Sequence, residues 1–277
     1  MVLKSYAKIN LSLKINSKRK DGLHEIQSYF CLVNLADKIK LIKANGKKDR
    51  IIFTGPFARL VSKKNNSIIS LLKLLRKLNL ISNQYSITIE KNIPVFGGLG
   101  GGTGNAAFIL KFLLKNKLKK SILEKASNII GSDLRLFFYK QGFLKNLASI
   151  TKIKKKNLFF ILIHPKIRCS TKEIYSKVRK YSKKKILIKN KINSKNKLIT
   201  YISKESNDLQ SIVEKKYPLL KRLLTEIKKE KGCCISRMTG SGSVCYGLFY
   251  DQITAKKALY KLKKKYPNFW SSLAKTI

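Results

Sequence analysis

From Ala7 to Ile15 apolar and polar residues alternate, with Ile9, Leu11 and Leu13 on one side of an extended chain, and this period predicts a first strand. Lys18 to Gly22 predicts a turn. Leu23, His24 and Glu25 follow it, then an apolar stretch through Val33, with shorter strand patterns at 39–42 and 51–53. Between Asn66 and Leu80 the period changes: Ile68, Ile69, Leu71, Leu72, Leu75 and Leu78 recur at helical spacing. Ile87 and Ile89 then alternate with Ser86, Thr88 and Glu90 as in a half-buried strand, and Ala106, Ile109, Leu110, Leu113 and Leu114 return to the helical period. A further helical segment near Leu123–Ile130 ends at Gly131-Ser132-Asp133, ahead of an apolar run over 134–139.

The lysines at 154–156 precede the apolar strand pattern Leu158 to Ile163, and a domain boundary is expected there, dividing the chain into 1–155 and 156–277. The second part carries helix patterns near 171–182, 207–230 and 253–265, with strand patterns near 233–238 and 244–249. Helices mixed with a few strands predict an α+β architecture. Residues 180–198, rich in lysine and asparagine with isolated isoleucines, read as a solvated connection or a weak helix.

Between the strand ending near Glu90 and the helix beginning near Ala106 lies Pro94-Val95-Phe96-Gly97-Gly98-Leu99-Gly100-Gly101-Gly102-Thr103-Gly104-Asn105. Strand, glycine loop and helix in that order present backbone N–H groups to an anion. Glycine admits positive φ and removes the Cβ atoms that would hold a phosphate away, while the helix start adds unpaired N–H groups and the positive end of its dipole. The loop lacks the Gly-Lys-Ser/Thr ending of the Walker motif and is not a dinucleotide fingerprint with an acidic ribose partner. Six glycines within the eight positions 97–104 fit a phosphate cradle better than a tight turn.

Composition narrows the field. The chain has 277 residues, 44% of them hydrophobic, enough for one large or two ordinary domains with a sizeable core. No apolar run approaches a membrane span, and the lysines and Asn10 near the start break the stretch a signal peptide needs, so a cytoplasmic location is expected. Five cysteines without Cys-x-x-Cys spacing, beside two histidines, argue against a disulfide framework and a zinc site. The net charge of +47 suits a binder of nucleic acid or anionic membrane. Against that, the lysines spread over every element, outnumber arginine and are not interleaved with aromatics, which favours a general compositional bias. No specific nucleic-acid or membrane partner is expected.

Three separated motifs carry a resemblance: Ala7-Lys8-Ile9-Asn10-Leu11, the loop 94–105 with Ala106-Ala107, and Met238-Thr239-Gly240-Ser241-Gly242-Ser243. Together they resemble the superfamily of galactokinase, homoserine, mevalonate and phosphomevalonate (GHMP) kinases. With Asp21-Gly22-Leu23-His24 and Gly131-Ser132-Asp133, the chain looks most like the 4-diphosphocytidyl-2-C-methyl-D-erythritol kinase family of the non-mevalonate isoprenoid pathway. The likeness runs from about residue 5 to about residue 250.

The resemblance implies a two-domain GHMP-kinase-like α+β fold, with an N-terminal part like domain 2 of ribosomal protein S5 and a ferredoxin-like C-terminal part closing the cytidine site between them. It implies transfer of the γ-phosphate of ATP, with Mg²⁺, to a cytidine-diphosphate-linked sugar alcohol, by a monomer or weak homodimer. Asp133 matches the family's catalytic aspartate, and Lys8 the lysine paired with it. Thr103 takes a usual serine position, within reach of a phosphate or Mg²⁺, and Gly104 replaces a second serine or alanine. Phe96 stands where a small residue is common, and either lines the adenine side or packs. With no Arg or Lys inside the loop, positive charge must come from Lys8, Mg²⁺ and the helix end.

For the cytidine end, His24 matches a histidine that hydrogen-bonds the base, and Asn10 a substrate-orienting amide. Leu23 departs from the family's tyrosine and gives up stacking, while Phe30 and Tyr175 resemble its other aromatic contacts. Arg135 replaces a proline, adding a cation near the implied base. Gly240, Ser241 and Gly242 offer a second set of backbone donors, or simply a turn that needs glycine. Homoserine or mevalonate kinase is the nearest enzymatic alternative. A polyanion-binding protein on a degenerate kinase fold is the rival from another class.

Overall fold

Strand β3 (His24–Ala44), 21 residues long, belongs by its first half to one compact unit of the chain and by its second half to another. The computed structural model describes residues 2–186 and 192–277. Among these no helix is long and apolar enough to cross a membrane.

The first unit comprises the chain up to Lys8, Leu35–Val95 and Gly100–Tyr139. It holds most of β1 (Val2–Asn10), the second half of β3, β4 (Arg50–Thr54), β5 (Gln84–Glu90), and helices α1 (Ser67–Lys77), α2 (Gly101–Leu114) and α3 (Lys120–Ile130). β5 pairs antiparallel with β3 from Lys38↔Glu90 to Ala44↔Gln84 and parallel with β4. The Asn66 side chain caps α1 by accepting from the N–H groups of Ile68 and Ile69, and the helix buries Ile68, Leu71, Leu72, Leu74 and Leu75 as one stripe. After α3 the apolar run predicted over 134–139 is a 3₁₀ turn, Ser132–Phe138, packed on α2 and α3 through Leu134, Leu136 and Phe137.

The second unit comprises Ile9–Asn34, Phe96–Leu99 and Lys140–Ile277. Here β2 (Lys14–Lys18) and β6 (Gln141–Asn146) pair with the first half of β3, and β7 (Ser149–Lys152) with β6. This partition differs from a single cut after residue 155, because β6 and β7 are held by β3 pairing that no local signal announces. A second sheet contains β8 (Phe159–His164), β9 (Cys233–Met238), β10 (Cys245–Phe249) and β11 (Trp270–Lys275) in the order β11-β8-β10-β9, all pairs antiparallel. Helices α4 (Thr171–Ser176), α5 (Lys195–Ser203), α6 (Gln210–Lys216) and α7 (Pro218–Lys229) lie between β8 and β9 in the chain, and α8 (Gln252–Lys265) between β10 and β11. With α7 packed on β9 and β10, and α8 on β8, β10 and β11, this is the ferredoxin-like β-α-β-β-α-β arrangement.

The single helix expected near 207–230 is two, because Pro218 ends one at Tyr217 and opens the next. The helix expected near 171–182 stops at Ser176, where Ile174 is its one buried residue. Part of the 180–198 run lies outside the described residues, and its end, from Lys195, is α5.

Candidate active site

The glycine loop passes from Phe96–Leu99, in the second unit, to α2 in the first. Gly100, the residue before α2, is left-handed at φ 70° and ψ 24°, with no side-chain hydrogen bond capping the helix. Gly104 N–H donates to Gly100 O (2.8 Å), while among the described residues nothing accepts from the N–H groups of Gly101, Gly102 or Thr103. Unspent donors at the positive end of a 14-residue helix form a cradle for phosphate oxygens. The half-buried Thr103 sits in that first turn.

Neighbours impose two of these glycines. A Cβ on Gly100 would lie 2.8 Å from Phe137 Cζ and 3.1 Å from Lys8 Cγ, and one on Gly104 would lie 2.8 Å from Phe137 Cε1. Phe137 and the stem of Lys8 therefore fill the space beside the helix start. Lys8, on β1 and only 3% exposed, sends Nζ to within 2.9 Å of Asp133 Oδ2. Asp133 is the second residue of the 3₁₀ turn that follows Gly131, with its carboxylate 32% exposed. The two residues sequence analysis paired are thus joined as a charge-assisted contact, half in protein and half open. Arg135, in the same turn, directs its guanidinium toward α3, with Nε donating to Ser127 Oγ (3.3 Å) and Nη2 3.8 Å from Glu124.

Two lysines that sequence analysis missed support the loop and the turn. Lys111 Nζ donates to Phe137 O (3.3 Å) and lies 4.8 Å from the centre of the Phe138 ring, securing the end of the turn. Burial pulls its pKa below the ordinary lysine value. Lys91 is ion-paired with the fully buried Asp37, whose other oxygen accepts from the N–H groups of Asn92 and Ile93 at 2.8 Å each. This pair fixes the chain entering the loop, and its ammonium lies 3.3 Å from where a Cβ on Gly101 would stand. Neither lysine belongs to a recognisable motif.

Within the second unit, Phe96 O accepts from Ser243 N–H (3.3 Å) and Gly97 O from Val244 N–H (3.2 Å), so Phe96–Leu99 is hydrogen-bonded to the turn 239–244. A Cβ on Gly98 would collide with Thr239 O. Pro94, Gly97 and Leu99 are buried and Val95 half-buried, while Phe96 is 45% exposed. In the turn, Gly240 (φ 57°) and Gly242 (φ 88°) are left-handed, and Asn207 Nδ2 donates to the carbonyls of Met238 (2.9 Å) and Gly240 (2.8 Å). Ser241 Oγ lies 2.9 Å from Thr171 Oγ1. Asn10 is buried, its N–H donating to Thr239 Oγ1 (2.9 Å) and its Nδ2 to Ser28 Oγ (2.8 Å).

His24 and Tyr175, distant in sequence, come together with ring centres 5.2 Å apart, and Tyr181 stands 6.5 Å from the same imidazole. Burial, and secondarily the charge on Lys18, pulls the His24 pKa below 6.5, leaving a neutral ring at pH 7. Leu23 is 50% exposed beside it. Phe30 is 1% exposed, and its ring packs where Gly142 has no side chain, so the structure places it in the core of the second unit.

The GHMP kinases N terminal domain matches residues 66–139, and the GHMP kinases C terminal domain matches residues 185–268. A 4-diphosphocytidyl-2-C-methyl-D-erythritol kinase of Pelagibacter ubique (strain HTCC1062) is 38% identical over 281 residues, covering 99% of this chain and 98% of that protein. One of Caldanaerobacter subterraneus subsp. tengcongensis is 33% identical, covering 99% and 96%. The crystal structure of a 4-(cytidine 5'-diphospho)-2C-methyl-D-erythritol kinase shares the fold with a TM-score of 0.76 at 23% identity, over 99% of each chain.

Proposed function

Because this chain belongs to the 4-diphosphocytidyl-2-C-methyl-D-erythritol kinase family of GHMP kinases, we propose that it transfers the γ-phosphate of ATP to the 2-hydroxyl of 4-diphosphocytidyl-2-C-methyl-D-erythritol, in the non-mevalonate route to isoprenoid precursors. The observation that carries the reading is the 2.9 Å contact between Lys8 Nζ and Asp133 Oδ2 beside Gly100.

A tertiary hydroxyl is a weak and crowded nucleophile, so its proton must leave as the oxygen–phosphorus bond forms. Asp133 accepts that proton while the bond from phosphorus to the leaving ADP oxygen breaks. Lys8 keeps the carboxylate oriented and offsets the negative charge of the transferring phosphoryl group. The free N–H groups of Gly101, Gly102 and Thr103 hold phosphate oxygens in place. These donors fit a triphosphate. The Thr103 hydroxyl, in the first turn of α2, would hold a Mg²⁺ ion, which would supply positive charge to the phosphates. At the other end, neutral His24 offers one donor and one acceptor to the cytosine edge, with Leu23 and Tyr175 as the apolar surfaces beside it. Asn10, Gly240, Ser241 and Gly242 complete the substrate side.

ADP release measured with the cytidine substrate, homoserine and mevalonate in parallel tests the assignment. Turnover with the cytidine substrate alone is expected, and preferential turnover of either other alcohol would overturn it.

A further inference from the structure

Phe96 is a phenylalanine in left-handed backbone (φ 60°), a conformation that a bulky residue adopts only at a cost, and its ring is 45% exposed. Neither conformational preference nor burial accounts for it. What the ring does is carry a guanidinium: Arg168 lies over its face, 5.6 Å from the ring centre. The platform is fixed, because Phe96 O and Gly97 O both accept backbone hydrogen bonds from the turn 239–244. Arg168 is exposed, and among the described residues it makes no ion pair and no hydrogen bond. The result is an oriented cation with its donors unspent, set on the Phe96–Leu99 stretch that belongs to the second unit and contains no Lys or Arg of its own.

We propose that Arg168, shelved on Phe96, binds the phosphate oxygens of a diphosphate group, a role that rests on the kinase reading above. A planar guanidinium offers paired N–H donors that match two oxygens of one phosphate or of neighbouring phosphates. Stacking on Phe96 removes part of the rotamer freedom such a contact would otherwise have to freeze. The diphosphate belongs either to the nucleotide donor or to the cytidine-linked acceptor. Both carry the same chemistry, and binding measurements separate them.

Calorimetric titration of the full chain with CDP, cytidine, ADP and adenosine tests the assignment. Arg168→Gln is expected to weaken CDP or ADP about tenfold, whichever the arginine contacts, while leaving cytidine and adenosine within twofold. It is also expected to make the affected affinity less steep in salt. Phe96→Leu, which keeps the charge and removes the platform, is expected to lose a few-fold on the same ligand, and Arg168→Lys to recover part of the Arg168→Gln loss. If CDP and ADP both stay within twofold in Arg168→Gln, or if the nucleosides weaken as much as the diphosphates, the proposal is overturned. Should the unaltered chain turn over the cytidine substrate while Arg168→Gln binds every probe normally, this inference fails and the kinase reading stands. Unaltered chain that binds neither CDP nor ADP would remove both.

Discussion

The ring of Phe137 occupies the space that a Cβ on Gly104 would need, with Cε1 at 2.8 Å, Cζ at 3.2 Å and Cδ1 at 3.3 Å from that position. Phe137 lies near the end of the 3₁₀ turn that carries Asp133 near its start, and Gly104 lies in the first turn of α2. Through this contact, and the matching one at Gly100, the turn carrying the carboxylate and the helix offering free N–H groups are held as one piece.

Gly104→Ala should therefore damage both stability and turnover. Helix propensity alone would favour alanine by up to about 1 kcal/mol, but forcing a methyl group against a ring that is buried costs roughly 1–3 kcal/mol. A net loss on the order of 1 kcal/mol by urea unfolding is expected, with kcat down about tenfold as the turn shifts. Phe137→Leu in the same chain, by clearing the collision, should restore part of that kcat. Additive losses in the double variant would show that the two residues do not act through each other.

Asp133→Asn keeps the size of the side chain and removes the base. General base catalysis typically contributes about 10²–10⁴ in rate, so kcat should fall by that order while the affinity for ADP, measured by calorimetry, stays within about threefold. The variant also leaves the Lys8 ammonium, 4% exposed at its side chain, without its carboxylate. Because Asp133 itself is 32% exposed, water replaces much of the lost partner, and the loss of stability should fall below the roughly 3–5 kcal/mol of a fully buried broken pair. Turnover close to that of the unaltered chain would remove Asp133 as base.

The glycine loop could be read from the sequence because its signal is local: left-handed glycines directly before a helical period say where the N–H groups go. The α6–α7 break was equally local, written in Tyr217-Pro218, although the continuous apolar spacing of the two helices hid it. Lys8 and Asp133 are different. Each is ordinary in its own segment, a strand lysine and a helix-end aspartate, and only the family likeness joined them before the structure did. Phe137 against Gly104, Lys91 on Asp37 and Arg168 over Phe96 had no signal at all, because each is a contact between elements whose residue types could serve many purposes. The interleaved units escaped for a related reason. A 21-residue strand shared by both looks, one window at a time, like two separate short strands.

His164, at the end of β8, gives a pH dependence of stability independent of the reaction. Burial depresses its pKa from 6.5 to about 4, and Nε2 has no hydrogen-bond partner among the described residues. Between those values the unfolded chain binds the proton and the folded chain does not. The contribution is therefore fully present above 6.5 and is lost as pH falls toward 4. From pH 7 to pH 4.5 this amounts to about 2 kcal/mol, read as the difference in urea unfolding between the unaltered chain and His164→Asn, which controls for the titrating carboxylates. Parallel pH profiles for the two proteins would contradict the assignment.

Leu23→Tyr tests the cytidine end. Leu23 is 50% exposed next to His24, and a tyrosine there would offer an aromatic face to a base held at the imidazole. Stacking a base on an aromatic ring is commonly worth about 1–3 kcal/mol. The full gain is not expected here, because Tyr175 already stands 5.2 Å from His24, and Tyr181 adds a second ring at 6.5 Å. A threefold to tenfold drop in KM for the cytidine substrate should result, with KM for ATP and kcat within twofold. In a Tyr175→Ala background the same substitution should gain more, since the resident platform is gone. A KM that moves in neither background would put the base away from His24, and with it the whole assignment of Leu23, His24 and Tyr175.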